Sequence, residues 1–207
     1  MENGKSNGAA THGLATVQPS ELGEGGALVP SKLLRGARLV VVGGTGFLGK
    51  GWVGMLLHRF PEIGHLYLLV RPKAEQSADE RFWSQIATSH CFDPIREQHP
   101  GSAGHPHPGT AFEKFLRDKI TPVAGDVVQE KLGFAPELIE RLRGTISAVV
   151  NVAGVVDFNP PLDEALGANA FGVNNLIDLA RRLSAPVLHT STCYVAGYRT
   201  GLIEEVD

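Results

Sequence analysis

The stretch "RLVVVGGTGFLGKGWVGMLL", residues 38–57, constrains this chain more than any other. An apolar, β-branched run ends in glycine, and apolar side chains then recur at Phe47, Leu48, Trp52, Val53, Leu56, Leu57 and Phe60, the spacing of one helix face. The pattern is strand, tight turn, helix. Gly43, Gly46 and Gly49 follow the G-x-x-G-x-x-G spacing. In that arrangement the first glycine permits the turn, the second lets backbone approach a pyrophosphate, and the third lets the helix pack on its strand. The helix that follows aims its free N–H groups and positive dipole end at the same point, so the stretch reads as a dinucleotide cradle.

The alternation recurs. Strands are expected at 65–70 ("HLYLLV"), 119–126, 147–154 and 186–197, with helices at 74–90, 136–144 and 162–183 between them. Strands that run apolar on both faces and alternate with helices imply an α/β, Rossmann-type, doubly wound parallel sheet. Residues 1–36, rich in Gly, Ser, Ala and Asn without apolar period, read as a disordered leader or linker, which leaves 37–207 as the nucleotide-binding domain. The His-Pro and Gly-rich stretch 98–110 reads as a surface loop. His99, His105 and His107 lack the regular spacing of metal ligands, so no metal site is expected.

Composition removes several function classes. The net charge of −3 over 207 residues, with no Lys/Arg run, argues against nucleic acid as partner. No apolar run approaches the roughly 18 residues of a membrane helix, and the first 20 residues lack the regions of a signal peptide. Cys91 and Cys193 lie far apart without a CxxC spacing, so neither a disulfide framework nor a cysteine zinc site is expected, and a reducing, cytoplasmic setting is. Nothing in the residue pattern sets an oligomeric state.

Cofactor choice should be written at the end of the second strand, where an Asp or Glu would bind the ribose 2′-OH of NAD. The sequence there is "LLVRPK", with no acid between Leu66 and Lys73, whereas Arg71 and Lys73 supply charge suited to a 2′-phosphate. NADPH is therefore the expected cofactor. Asp126, closing the third strand, either contacts adenine or caps a turn.

With "GGTGFLGK", "LVRPK", "PVAGD", "VVNVAGVVDFNPPLDEALGANAFGVNNLIDLA" and "PVLHTSTCYVAG" in this order, the chain resembles the extended short-chain dehydrogenase/reductases, and more narrowly the fatty acyl-CoA reductase and thioester reductase branch. The resemblance covers residues 34–207. It implies that Gly43, Thr45, Gly46, Phe47, Leu48 and Gly49 line the pyrophosphate, that Arg71 holds the 2′-phosphate, and that Asp126 and Val127 sit by adenine. It further implies that Ala153 and Gly154 lie under the nicotinamide ribose and that Asn169 ties the central helix to the fourth strand. In that branch a Ser or Thr after the fifth strand polarises the substrate carbonyl, here Thr192, with Ser191 as the alternative. A Tyr-x-x-x-Lys pair supplies the proton.

The pair is absent from this chain: Tyr194 is followed at the fourth place by Tyr198, Tyr198 by Leu202, and no lysine follows Lys131. The expectation is an N-terminal piece of a larger reductase, with a sheet incomplete at the C-terminus. Three functions remain open: NADPH-dependent reduction of an acyl-CoA or carrier-bound acyl thioester to aldehyde or fatty alcohol; a sugar-nucleotide epimerase, dehydratase or reductase of the same fold; and a non-catalytic NADP-binding module. Substrate preference separates the first two, and the presence or absence of the Tyr/Lys pair separates both from the third.

Overall fold

The computed structural model describes residues 27–73, 75–99, 109–192 and 196–204. After a short helix α1 (Pro30–Leu33) come β1 (Arg38–Val42), α2 (Phe47–Arg59) and β2 (His65–Val70). Then follow α3 (Ala78–Arg81), α4 (Asp93–Glu97), α5 (Ala111–Lys119), β3 (Ile120–Ala124), α6 (Pro136–Leu142), β4 (Ala148–Asn151), α7 (Leu162–Leu166), α8 (Gly172–Leu183) and β5 (Val187–His189). The strands form one sheet in the order β3-β2-β1-β4-β5, and every pairing is parallel. Chain direction across the sheet therefore reverses between β1 and β4, the point at which doubly wound sheets open a crevice beyond their strand ends.

Successive residues of β1 serve opposite layers, as the two-residue repeat of a strand requires. Leu39 and Val41 join Val53, Leu56 and Leu57 of α2 on one side, together with Phe82, Phe92 and Phe112. Val40 and Val42 join Leu176, Leu179 and Leu183 of α8 and Ile139 and Leu142 of α6 on the other. Because both faces are covered, β1 and β2 are buried at every position after their first residues, Arg38 and His65. Each fully buried leucine in these layers contributes roughly 1.5–3 kcal/mol relative to exposure.

Several boundaries differ from the sequence reading, each for a local reason. Packed structure begins before residue 37: Pro30 opens α1, Leu34 lies against the core, and Gly36 donates to Glu62 O at 2.9 Å beside an Arg35–Glu62 ion pair of 3.0 Å. The rest of the expected leader lies outside the described residues. The helix expected at 74–90 starts at Ala78, because Ser77 caps it reciprocally with Glu80, and continues as a π-helical turn over Phe82–Ile86. The helix expected at 162–183 is likewise interrupted by a π turn, Gly167–Phe171.

The third strand stops at Ala124 and the fourth at Asn151, since Gly125–Asp126 and Val152–Gly154 already belong to the crevice. The fifth is three residues rather than twelve, Val187–His189, and all three are exposed at the sheet edge. Cys193 and Tyr194 lie outside the described residues, as do His105 and His107. His99 closes α4, its ring Nδ1 2.7 Å from Ile95 O.

Candidate functional site

The crevice at the switch point has a volume of about 350 Å³. Its floor is the glycine turn. Gly43 has φ +89°, and a Cβ there would stand 2.4 Å from Ala153 N, so the turn out of β1 lies directly against the turn out of β4. At Gly49 a Cβ would stand 2.1 Å from Gly43 O, which lets α2 run hard against the turn. Gly46 is different: a Cβ would meet only Gly43 O, at 3.4 Å, so protein packing alone leaves room for one. Gly46 lines the crevice and is the N-cap of the 13-residue α2, without a side-chain cap. The first N–H groups of that helix are left for a ligand, and the bare Gly46 backbone lets an anion reach them. This arrangement fits a pyrophosphate.

Thr45, Arg71, Asp126, Val127, Ala153 and Gly154 line the same crevice. Arg71 is exposed, and its guanidinium Nη1 lies 3.6 Å from Asp126 Oδ2. Its backbone is held from behind, where the Arg81 guanidinium donates to Arg71 O. Arg81 escaped the sequence reading, though an arginine one turn past the Ser77 cap was a usable signal. Lys73 pairs with Gln76 in an isolated bridge and does not line the crevice.

Asp126 caps a turn, Oδ1 accepting from Val128 N at 3.2 Å, while its own N–H donates to Leu132 O at 3.1 Å. That turn is strained. Lys131 and Leu132 both have left-handed φ, 52° and 58°, and the fully buried Leu132 side chain holds them there. Backbone strain of this kind persists where the surroundings over-determine it, and here it sets the wall of the crevice beside Asp126. Val127 O accepts from Asn175 Nδ2 at 2.9 Å, which ties that wall to α8.

The π turn Gly167–Phe171 packs against that wall, since a Cβ on Gly167 would stand 3.6 Å from Val128 Cγ1. It carries Gly167 and Ala168 at the crevice while Asn169 turns toward the chain leaving β4. Asn169 Oδ1 accepts from Val155 N at 2.8 Å and Nδ2 donates to Val155 O at 3.0 Å, a two-point clamp on backbone. Asn169 itself is not in the lining. Asp163 and Glu164, in the first turn of α7, are, and the sequence reading missed both. Phe47 and Leu48 project outward, 92% and 57% exposed, and Gly49 lies buried beneath the turn.

Ser191 and Thr192 follow β5 and are exposed; they are not part of the crevice lining. A larger, open concavity of about 600 Å³ over Trp83 and Arg117 shares no lining residue with the crevice. Its Glu80, Glu113 and Asp79 are engaged locally by Ser77, Arg117 and Trp83, so the strand-end crevice is the better site. Among the described residues no group of three or more His, Cys, Asp or Glu could hold a metal ion, and no helix is long and apolar enough to cross a membrane.

A parallel α/β sheet with a glycine turn beneath a switch-point crevice defines a Rossmann-type, NAD(P)-binding domain of the short-chain dehydrogenase/reductase kind. Residues 41–207 match the model of the family described as male sterility protein, an NAD-binding family, and the chain belongs to it. It is 34% identical over 83% of its length to fatty acyl-CoA reductase 8 of Arabidopsis thaliana, covering 34% of that protein. It is 28% identical over 98% of its length to the chloroplastic fatty acyl-CoA reductase 2 of the same plant, covering 32% of it.

Among solved structures, the reductase domain of a non-ribosomal peptide synthetase from Mycobacterium tuberculosis is similar with a TM-score of 0.58 and 26% identity, over 78% of this chain and 34% of that one. The terminal R domain of the myxalamid biosynthetic pathway is similar with a TM-score of 0.56 and 27% identity, over 75% of this chain and 35% of that one. The chain thus spans about a third of the length of these relatives.

Proposed function

We propose that this chain is the cofactor-binding part of an NADPH-dependent reductase of fatty acyl-CoA or carrier-bound acyl thioesters, acting in the cytoplasm and yielding an aldehyde or fatty alcohol. The observation that carries the cofactor reading is the end of β2, where Arg71 and no carboxylate of that strand end lines the crevice. An arginine suits a 2′-phosphate through charge-assisted, forked hydrogen bonds. The relatives' names support the substrate class.

In this reading Gly43, Thr45 and Gly46, with the N-terminus of α2 at Phe47 and Leu48 and the close packing of Gly49, bind the pyrophosphate. Arg71 binds the 2′-phosphate, with the Arg81 grip on Arg71 O holding it in place and Lys73, two residues on, adding positive charge from outside the lining. Asp126 and Val127 flank the adenine, Ala153 and Gly154 support the nicotinamide ribose, and Asn169 keeps the chain after β4 in position. Held by these residues, NADPH would supply the hydride for reducing the thioester carbonyl to an aldehyde with loss of the thiol. Thr192, or Ser191 beside it, donates a hydrogen bond to the carbonyl oxygen on which negative charge develops. The proton donor of the Tyr-x-x-x-Lys type is not among these 207 residues.

Titration with NADPH and NADH, on the unmodified protein and on Arg71→Ala, tests the cofactor half. NADPH should bind tighter by about tenfold or more, and the substitution should remove that margin, as expected for charge-assisted bonds of roughly 1.5–3 kcal/mol. Equal affinities before mutation would overturn the phosphate role. The substrate half is tested in the full-length reductase by NADPH oxidation with a long-chain acyl-CoA against a nucleotide sugar; turnover of the sugar alone would overturn it.

A further inference from the structure

A polar link between β4 and β5 lies outside the crevice lining. Asn151 ends β4 after Ala148, Val149 and Val150, and at 3% exposed it is buried among apolar neighbours, where an amide needs partners. It has three. Its Oδ1 accepts from Ala153 N at 3.0 Å, its Nδ2 meets His189 Nδ1 at 3.0 Å, and its backbone O accepts from Thr190 N at 2.9 Å. Asn151 and His189 stand directly opposite in the β4–β5 register. One residue therefore ties the turn under Gly43 to the segment that leads into Ser191 and Thr192.

The donor pattern decides the state of the ring. Ala153 N–H can only donate, so it holds Oδ1 on its own side and leaves the NH₂ group facing His189; Nδ1 must accept, and the proton of the neutral ring sits on Nε2. Turning the amide over would set its NH₂ group against Ala153 N–H. β5 is the edge strand, its sheet neighbour β4 carries no titratable or charged side chain, and the His189 ring is exposed to solvent. The group facing the ring from β4 is the Asn151 amide.

We propose that Asn151 and His189 are positioning residues: through the amide–imidazole bond across β4 and β5 they fix where segment 190–192 leaves the sheet edge. The proposal rests on the reductase reading for its kinetic consequences, but its geometry can be tested without turnover.

The test compares His189→Asn, which keeps an acceptor near the Nδ1 position, with His189→Leu, which removes the acceptor. In the full-length reductase that contains this chain, with NADPH and a long-chain acyl-CoA, His189→Asn should keep kcat within about threefold. His189→Leu should lower kcat by about tenfold or more with KM and NADPH affinity within about threefold, as misplacement of one reacting group does. An unchanged kcat in His189→Leu, a parallel loss of NADPH affinity, or a loss of kcat in His189→Asn as large as in His189→Leu would each overturn the proposal.

Independently, ¹⁵N-histidine NMR should find His189, identified as the signal missing in His189→Asn, as the Nε2–H tautomer with an accepting Nδ1. The opposite tautomer would overturn the proposal. Failure of the full-length reductase to reduce any acyl thioester with that tautomer present would instead overturn the reductase reading and leave the link standing.

Discussion

Gly43 shows how much one missing atom can decide. Its φ of +89° and the 2.4 Å that would separate a Cβ from Ala153 N put both strain and overlap on any side chain. Gly43→Ala should therefore lower stability by about 2 kcal/mol or more and abolish NADPH binding, read by urea denaturation and by cofactor titration. His65 makes the opposite case, a side chain whose value depends on its proton. Burial pushes its pKa below the ordinary 6.5, while its Nδ1 sits 2.8 Å from Asp118 O and its Nε2 2.8 Å from Thr121 Oγ1. The unfolded chain then binds the proton more readily than the folded one. Stability present above pH 6.5 is lost as the pH falls from 6.5 through the lower folded-state value. The urea midpoint should drop on going from neutral to mildly acidic buffer, and His65→Asn should lessen that drop.

At the scale of elements, caps and interruptions place the site. Ser77 and Glu80 cap α3 reciprocally, and α3 carries the Arg81 that grips Arg71 O. Ser77→Ala should cost about 1 kcal/mol of stability and weaken NADPH binding more than NADH binding, measured on the same samples. The π turn Gly167–Phe171 is the second such device: it carries Ala168 at the crevice and Asn169 at Val155.

Strand positions were readable because burial on both faces leaves an unbroken apolar run, as in "HLYLLV". Both π turns were unreadable, because apolar periodicity carries no mark of one extra residue in a turn. The shortness of β5 was unreadable as well, since "PVLHTSTCYVAG" is apolar enough for a strand and only its uncovered place at the edge shows where pairing stops.

At the scale of the whole molecule, the crevice and the segment proposed to polarise the substrate are separate. Every crevice wall comes from chain leaving β1, β2, β3 or β4, or from the α7 region, while Ser191 and Thr192 follow the exposed edge strand. The 207-residue chain, without a Tyr-x-x-x-Lys, should accordingly bind NADPH and leave an acyl-CoA unreduced. NADPH absorbance followed with substrate present checks this, and steady loss would mean that the proton donor lies among these residues.

The order of strands and helices, the glycine turn and the arginine after β2 followed from the residues alone, because each is a local pattern of burial, backbone freedom or charge within a few positions. Tertiary structure alone decided that Arg81 grips Arg71 from behind, that Asp126 is held by a strained turn over a buried Leu132, and that Asn151 reaches His189 across 38 positions. These are contacts between elements, set by sheet register and helix packing rather than by neighbours in the chain.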